Sequence, residues 1–202
     1  MEAYSRCMDF VNTLVYGCGM DEQATKDRLT RTAWLDHGLR ILARQGAAAL
    51  KVGDLAAGLN VSRGSFYWHF KDIGEFRLQL LERWQERTTD QVLEQTDAST
   101  TGAARLTHLM KLAFNEDRSL DRSIRAMAST DKAVAKMVAS VDARRIAYMA
   151  NVLTEAGVGS RRALSRAEFL YWAYIGQSAV MDPRHDSMTE GDIDDLSTLF
   201  TR

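Results

Sequence analysis

Apolar residues recur at helical spacing from about residue 30 to the end of the chain, with little sign of strand alternation. A first helix is expected over Thr30–Gln45, with Leu35, Gly38, Leu39 and Leu42 as its inner stripe and Gly46 as a terminating glycine. Gly38 is costly inside a helix, so close packing against a neighbouring helix is the expected compensation. Val52, Leu55, Ala56 and Leu59 then fall at i, i+3, i+4 and i+7, one face of a short second helix. Asn60 follows where the chain must reverse, since its short amide tolerates a left-handed backbone. Ser62 stands at the N-cap of a third helix, its hydroxyl able to accept an orphan N–H. Asp72 and Glu75 have capping-box spacing and open a long helix with Phe76, Leu80, Leu81 and Trp84 on one side. Asp97–Gly102 reads as a loop by composition.

Beyond that loop the periodicity gives a helix over about Ala103–Glu116 and a short one ending near Ser129. A long helix follows over Asp131–Ala156, closed by Gly157, then one over about Arg161–Val180 stopped by Pro183, and a last over Gly191–Phe200. The helix over 161–180 has two apolar stripes: Ala167, Leu170, Tyr171, Tyr174 on one, and Phe169, Trp172, Ile175, Ala179 on the other. A helix apolar on two sides is buried on two sides. Either both lie within one subunit, or one meets a second copy of the chain, with Leu170, Tyr171 and Tyr174 joined by Leu196, Leu199 and Phe200 in a four-helix interface. The expected architecture is all-α: a three-helix head, a long helix, and a C-terminal helical bundle that dimerises.

The chain has 202 residues, a net charge of −1 and one Pro. Divided, the charge is uneven. Residues 25–71 carry eight Lys/Arg against three Asp/Glu, while the segments on either side are each −3. A basic block in an otherwise acidic chain is the electrostatic footprint of a part that meets phosphates. Lys26, Arg28 and Arg31 precede the first helix as a basic arm, readable as a DNA-backbone contact or as a solvated face. Three segments result: an N-terminal extension over 1–24 that fits nothing downstream, a head over 25–71, and a body over 72–202. Met20 is a candidate start of translation within the extension. Cys7 and Cys18 lie in it with no His between them, which favours free thiols over a metal site or a disulfide. With no secretory signal and no apolar run of membrane-spanning length, a cytoplasmic protein is expected.

The third helix carries the sharpest signal. It opens with Arg63, Gly64 and Ser65 and continues into Phe66, Tyr67, Trp68, His69 and Phe70. One cation and small polar residues at a helix start suit an approach to base edges in the major groove, while hydroxyl, indole and imidazole donors behind them reach phosphates. The run from Gly46 to Phe76, above all Asn60-Val61-Ser62 and Gly64 to Phe70, resembles the DNA-binding domain of the TetR (tetracycline-repressor) family of transcriptional regulators. Asn60 stands where that family usually has Gly. Ile73 stands where a phosphate-contacting Lys is common, and Lys71 is offered in its place. The resemblance covers roughly a quarter of the chain and implies a homodimer reading a palindromic operator. It puts Ser62, Arg63, Gly64 and Ser65 at base edges, and Lys51, Tyr67, Trp68, His69 and Lys71 at phosphates, with Phe66 and Phe70 in the core.

It also implies a repressor released from DNA by a small apolar or amphipathic ligand held in the body. Met110, Phe114, Met127, Met137, Tyr148, Met149 and Trp172 supply the adaptable surface such a pocket uses, or else form ordinary core. A TetR-like interaction module that has lost specific DNA binding is the alternative. Catalysis is not expected. His37, His69, His108 and His185 are scattered, no nucleophile motif or phosphate loop is present, and nothing in the sequence calls for a cofactor or metal.

Overall fold

The computed structural model describes residues 29–99, 101–115, 117–177 and 188–202. The N-terminal extension, Lys26 and Arg28 of the arm, both cysteines and Pro183 lie outside the described residues. Ten α-helices span the described residues, which contain no strand. They are α1 (Arg31–Gln45), α2 (Val52–Gly58), α3 (Arg63–Tyr67), α4 (Ile73–Gln85), α5 (Gln91–Ser99), α6 (Gly102–Asn115), α7 (Ser119–Ala128), α8 (Lys132–Glu155), α9 (Ser160–Gln177) and α10 (Glu190–Thr201). A 3₁₀ turn, Ala47–Ala49, follows α1, and a π-helical turn, Glu86–Asp90, joins α4 to α5.

Two compact units divide the chain. One holds the residues up to Arg83 together with Ser119–Ile124; the other holds Trp84–Arg118 and Arg125–Arg202. The first unit extends past the expected 71/72 division, because Phe76 and Leu80 pack against α1 at Gly38.

The head is built on an aromatic core. Phe66 lies 5.5 Å edge-on to Trp34 and 5.5 Å from Phe76, and Phe70 stands 5.0 Å edge-on to Phe76. All four rings are fully or almost fully buried, offset and T-shaped contacts of the kind that ring quadrupoles favour. Gly38 is where α1 meets α4: a methyl group there would fall 2.6 Å from Phe76 Cζ and 2.9 Å from Leu80 Cδ1. The close approach is the compensation expected, although the partner is α4 rather than the next helix in the chain. Gly46 ends α1 with φ +75° and its N–H donates to the Leu42 carbonyl. Asn60 takes φ +55°, the left-handed reversal that the turn needs. Glu75 N–H donates to Asp72 Oδ1, but the Glu75 carboxylate reaches the Lys71 N–H rather than closing a box on Asp72.

The body is a bundle in which α9 packs on α8, α8 on α6, and α6 on α10. Its core joins Leu106, Met110 and Phe114 to Met149, Val152, Leu153, Leu170 and Ile193. Asp131 caps α8 through the Ala133 and Val134 N–H groups, and Thr189 with Asp192 forms a reciprocal capping box on α10. Asp97, expected in a loop, is instead helical. Its carboxylate accepts from Tyr148 Oη at 2.6 Å and pairs with Arg105, tertiary contacts that extend α5 against local composition.

Candidate nucleic-acid interface and ligand cavity

Helices α2 and α3 meet across the turn at Leu59–Ser62. Leu55 and Ala56 are buried on α2, Val61 N–H donates to the Ala56 carbonyl across the turn, and Phe66 anchors α3 from beneath. The anchoring decides which residues of α3 face out. Ser62, Arg63 and Gly64 are exposed, Ser65 is half-buried, and Tyr67 and Trp68 are 59% and 83% exposed. Lys51 and Lys71 are exposed and His69 half-buried. Phe66 and Phe70 lie in the core, as the aromatic block required. Ser62 occupies the N-cap position of α3 but makes no side-chain capping bond, so the expected cap is absent. Arg31, from the basic arm, pairs with Glu75 and lies over the Phe70 ring, which gives it a role inside the head.

Trp68 stands largely exposed beside Tyr67, whose ring packs edge-on against the buried Phe66 at 5.4 Å.

Residues 35–80 match the family model described as bacterial regulatory proteins, tetR family. The family match is confined to the head. The match falls on the helices just described, from the second turn of α1 into α4. The HTH-type transcriptional regulator AcrR of Shigella flexneri is 38% identical over 53 residues, 26% of this chain and 25% of that protein. The chain thus aligns with about a quarter of the length of this curated relative. Likeness of fold extends much further. The reduced form of Escherichia coli NemR superposes with a TM-score of 0.67 at 17% identity, covering 84% of this chain and 94% of that one. A candidate transcriptional regulator from Saccharomonospora viridis, solved in complex with choline, gives 0.65 at 16% identity, covering 84% and 92%. At such identities these two speak for the fold alone, not for a family or a ligand.

The body holds a cavity that opens to solvent. Leu93, Leu109, Met110, Phe114, Met149 and Leu170 give it an apolar lining, and Thr88, Thr89, Arg145 and the tyrosines 148, 171 and 174 supply polar atoms. Of the expected pocket residues, Met110, Phe114, Tyr148 and Met149 line this cavity. Met127 and Met137 are half-buried elsewhere, and Trp172 is 65% exposed on the outer face of α9. Trp172 is therefore removed from the pocket: it lies on the stripe opposite the one α9 turns inward.

The same geometry places two of the expected interface residues, Leu170 and Tyr171, inside the chain's own subunit. Tyr174 is half-buried, its ring edge-on to Phe114 at 6.4 Å. Leu196 and Phe200 are half-buried against the same core. Two stripes were legible in α9, and a hydroxyl decides between them. Tyr171 Oη donates to Asp142 Oδ1 at 2.7 Å and accepts from Arg125 Nη2 at 3.0 Å, partners that exist only inside. The outward stripe is Leu164, Phe169 and Trp172, with Leu199 of α10 also exposed and Phe169 stacked on Phe200.

Sequence reasoning missed Arg145, Thr88 and Thr89. Arg145 Nε donates to Thr89 Oγ1 at 2.9 Å, and its Nη2 donates to the Thr88 carbonyl and hydroxyl at 3.2 and 3.0 Å. Its guanidinium also lies 5.5 Å from the Trp84 ring. The available signal was a pair of adjacent threonines in a helix, whose hydroxyls compete for backbone carbonyls: Thr88 Oγ1 donates to the Trp84 carbonyl. The π-helical turn lies at this pair. Such turns are common at functional sites because they leave carbonyls off the regular ladder.

Proposed function

We propose that the chain is a sequence-specific DNA-binding transcriptional regulator that acts as a homodimer on a palindromic operator in the cytoplasm. The observation that carries this reading is the outward presentation of Ser62, Arg63, Gly64 and Tyr67 over the buried Phe66 and Phe70. In it, Arg63 pairs with a guanine edge, worth about 1–3 kcal/mol of discrimination. Ser62, Gly64 and Ser65 let the backbone approach the groove closely. Lys51, Tyr67, Trp68, His69 and Lys71 hold phosphates and set register.

The outward stripe of α9 and Leu199 supply the apolar surface for pairing two copies. Exposed Phe and Trp at helical spacing are what an interface core uses. Two heads on a two-fold axis read a palindrome when their recognition helices lie about 34–36 Å apart, one turn of B-DNA.

Repression released by a small apolar or amphipathic ligand completes the reading, supported by the apolar cavity with few polar groups. The coupling is linkage: the ligand must favour the DNA-incompetent state, and DNA must weaken the ligand by the same factor. An interaction module that has lost DNA binding is the competing reading, favoured by Ile73 where a Lys is common. A duplex titration over a salt series separates the two. Binding that falls linearly with log salt at a slope of several units supports the regulator, since contacts to Z phosphates give about −0.9Z. Salt-insensitive or absent binding rejects it.

A further inference from the structure

We infer that the cavity in the body receives the anionic head of a single-chain amphiphile, with Arg145 as the receiving group. This names the ligand class for the effector-responsive reading above and rests on that reading. Arg145 is the one charged side chain among those lining the cavity. It sits beside Thr88 and Thr89, while Leu93, Leu109, Met110, Met149 and Leu170 offer an apolar lining for a tail. Its bonds to Thr88 and Thr89 go to hydroxyls and a carbonyl, neutral acceptors over which a carboxylate prevails because its bonds to guanidinium are charge-assisted and two-pronged. The threonine hydroxyls can then rotate to donate to the same anion.

A cationic head is disfavoured by two further observations. No carboxylate lines the cavity. Asp142 is held by both Arg125 Nη groups at 2.7 and 3.0 Å and by Tyr171 Oη, and it also feels the charge of Arg145, so it is already neutralised. Two of the four aromatic rings lining the cavity are also engaged by a cation: the Arg118 guanidinium lies 5.7 Å from the Phe114 ring and 5.2 Å from that of Tyr174. An uncharged head would use the hydroxyls but gain nothing from Arg145. Capture of Arg145 would withdraw its N–H from the Thr88 carbonyl in the π-helical turn, which places the local response to the ligand at residues 84–90.

Calorimetric titration of the full chain, without DNA, with decanoate, 1-decanol and decyltrimethylammonium below their aggregation concentrations tests this directly. The three share a tail and differ in head charge. Decanoate should bind at least about tenfold more tightly than the alcohol, the factor expected of one charge-assisted pair, and the ammonium most weakly. Arg145→Gln, which keeps a donor for Thr88, should erase the preference for the acid while leaving alcohol binding in place. Equal or tighter binding of the alcohol or the ammonium overturns the inference. So does the absence of saturable decanoate binding, or a preference for the acid that survives Arg145→Gln. Because no duplex is present, failure here leaves the DNA-binding reading standing, and loss of duplex binding would leave this result unchanged.

Discussion

The guanidinium of Arg63, at the start of α3, lies against the α-carbon of Gly53 in α2: a methyl group at Gly53 would fall 2.9 Å from Nη2 and 3.2 Å from Nε. The cation proposed to read a base is thus held beside a residue that lacks a side chain on the preceding helix. Gly53→Ala should push the guanidinium aside at little cost in stability, since the crowded atoms end a flexible, exposed side chain. Measured against a panel of single-base operator variants, it should blunt the preference at the Arg63 position without unfolding the head. Arg63→Ala should relax the same position by about 1–3 kcal/mol and leave the others intact. Unchanged selectivity in both variants would remove Arg63 from base reading.

Gly38 offers the opposite case. Its missing methyl group is occupied by Phe76 and Leu80, both fully buried, so neither can move aside freely. Gly38→Ala should destabilise the head by about 1–3 kcal/mol through overpacking. The check is a lower denaturant midpoint at unchanged slope.

His37 introduces a pH dependence. It is buried in the head with its Nε2 facing Gly58 and no hydrogen-bond partner there. Burial, helped by the charge of Arg40, lowers its pKa below the ordinary 6.5. The neutral form is therefore the folded form. Below pH 6.5 the unfolded chain takes up a proton that the folded head resists, so stability falls with pH, by at most about 1.4 kcal/mol per unit from this group. Thermal melts at pH 7.5 and 5.5 should show a loss that His37→Gln reduces. A variant with the wild-type pH response would clear His37 of that role.

How much of this was legible beforehand depends on what each residue answers to. Gly46 and Asn60 follow from local backbone chemistry and were legible, whereas the Ser62 cap and the Asp72–Glu75 box, read on the same basis, do not close, and the caps at Asp131 and Thr189 went unread. The outward face of α3 was legible because Phe66 and Phe70 leave only one way to seat it. The inner stripe of α9 was not, because Tyr171 and Trp172 are equally apolar by pattern and only the distant Asp142 and Arg125 tell them apart. Arg145 looked like surface charge for the same reason: its acceptors, Thr88 and Thr89, are more than fifty residues away in sequence. Tertiary hydrogen bonds of that range leave no periodic trace.

The outward stripe of α9 predicts the assembly. Trp172→Glu should convert the dimer to monomer in light scattering while the body keeps its helical signal, because Trp172 is 65% exposed on the outer face of α9. Tyr171→Phe should behave differently: the dimer persists, and the body loses stability through the bonds to Asp142 and Arg125, by about 1 kcal/mol or somewhat more. A dimer that tolerates Trp172→Glu would move the interface elsewhere.

The most direct test of the regulator reading is enrichment of bound sequences from a random duplex pool by the full-length chain, run beside Arg63→Ala. The account predicts a two-fold symmetric motif with half-site centres about 10–10.5 base pairs, or a multiple of that, apart, and loss of one base preference per half-site in the variant. Recovery of no motif, or of a motif that Arg63→Ala leaves untouched, would contradict it.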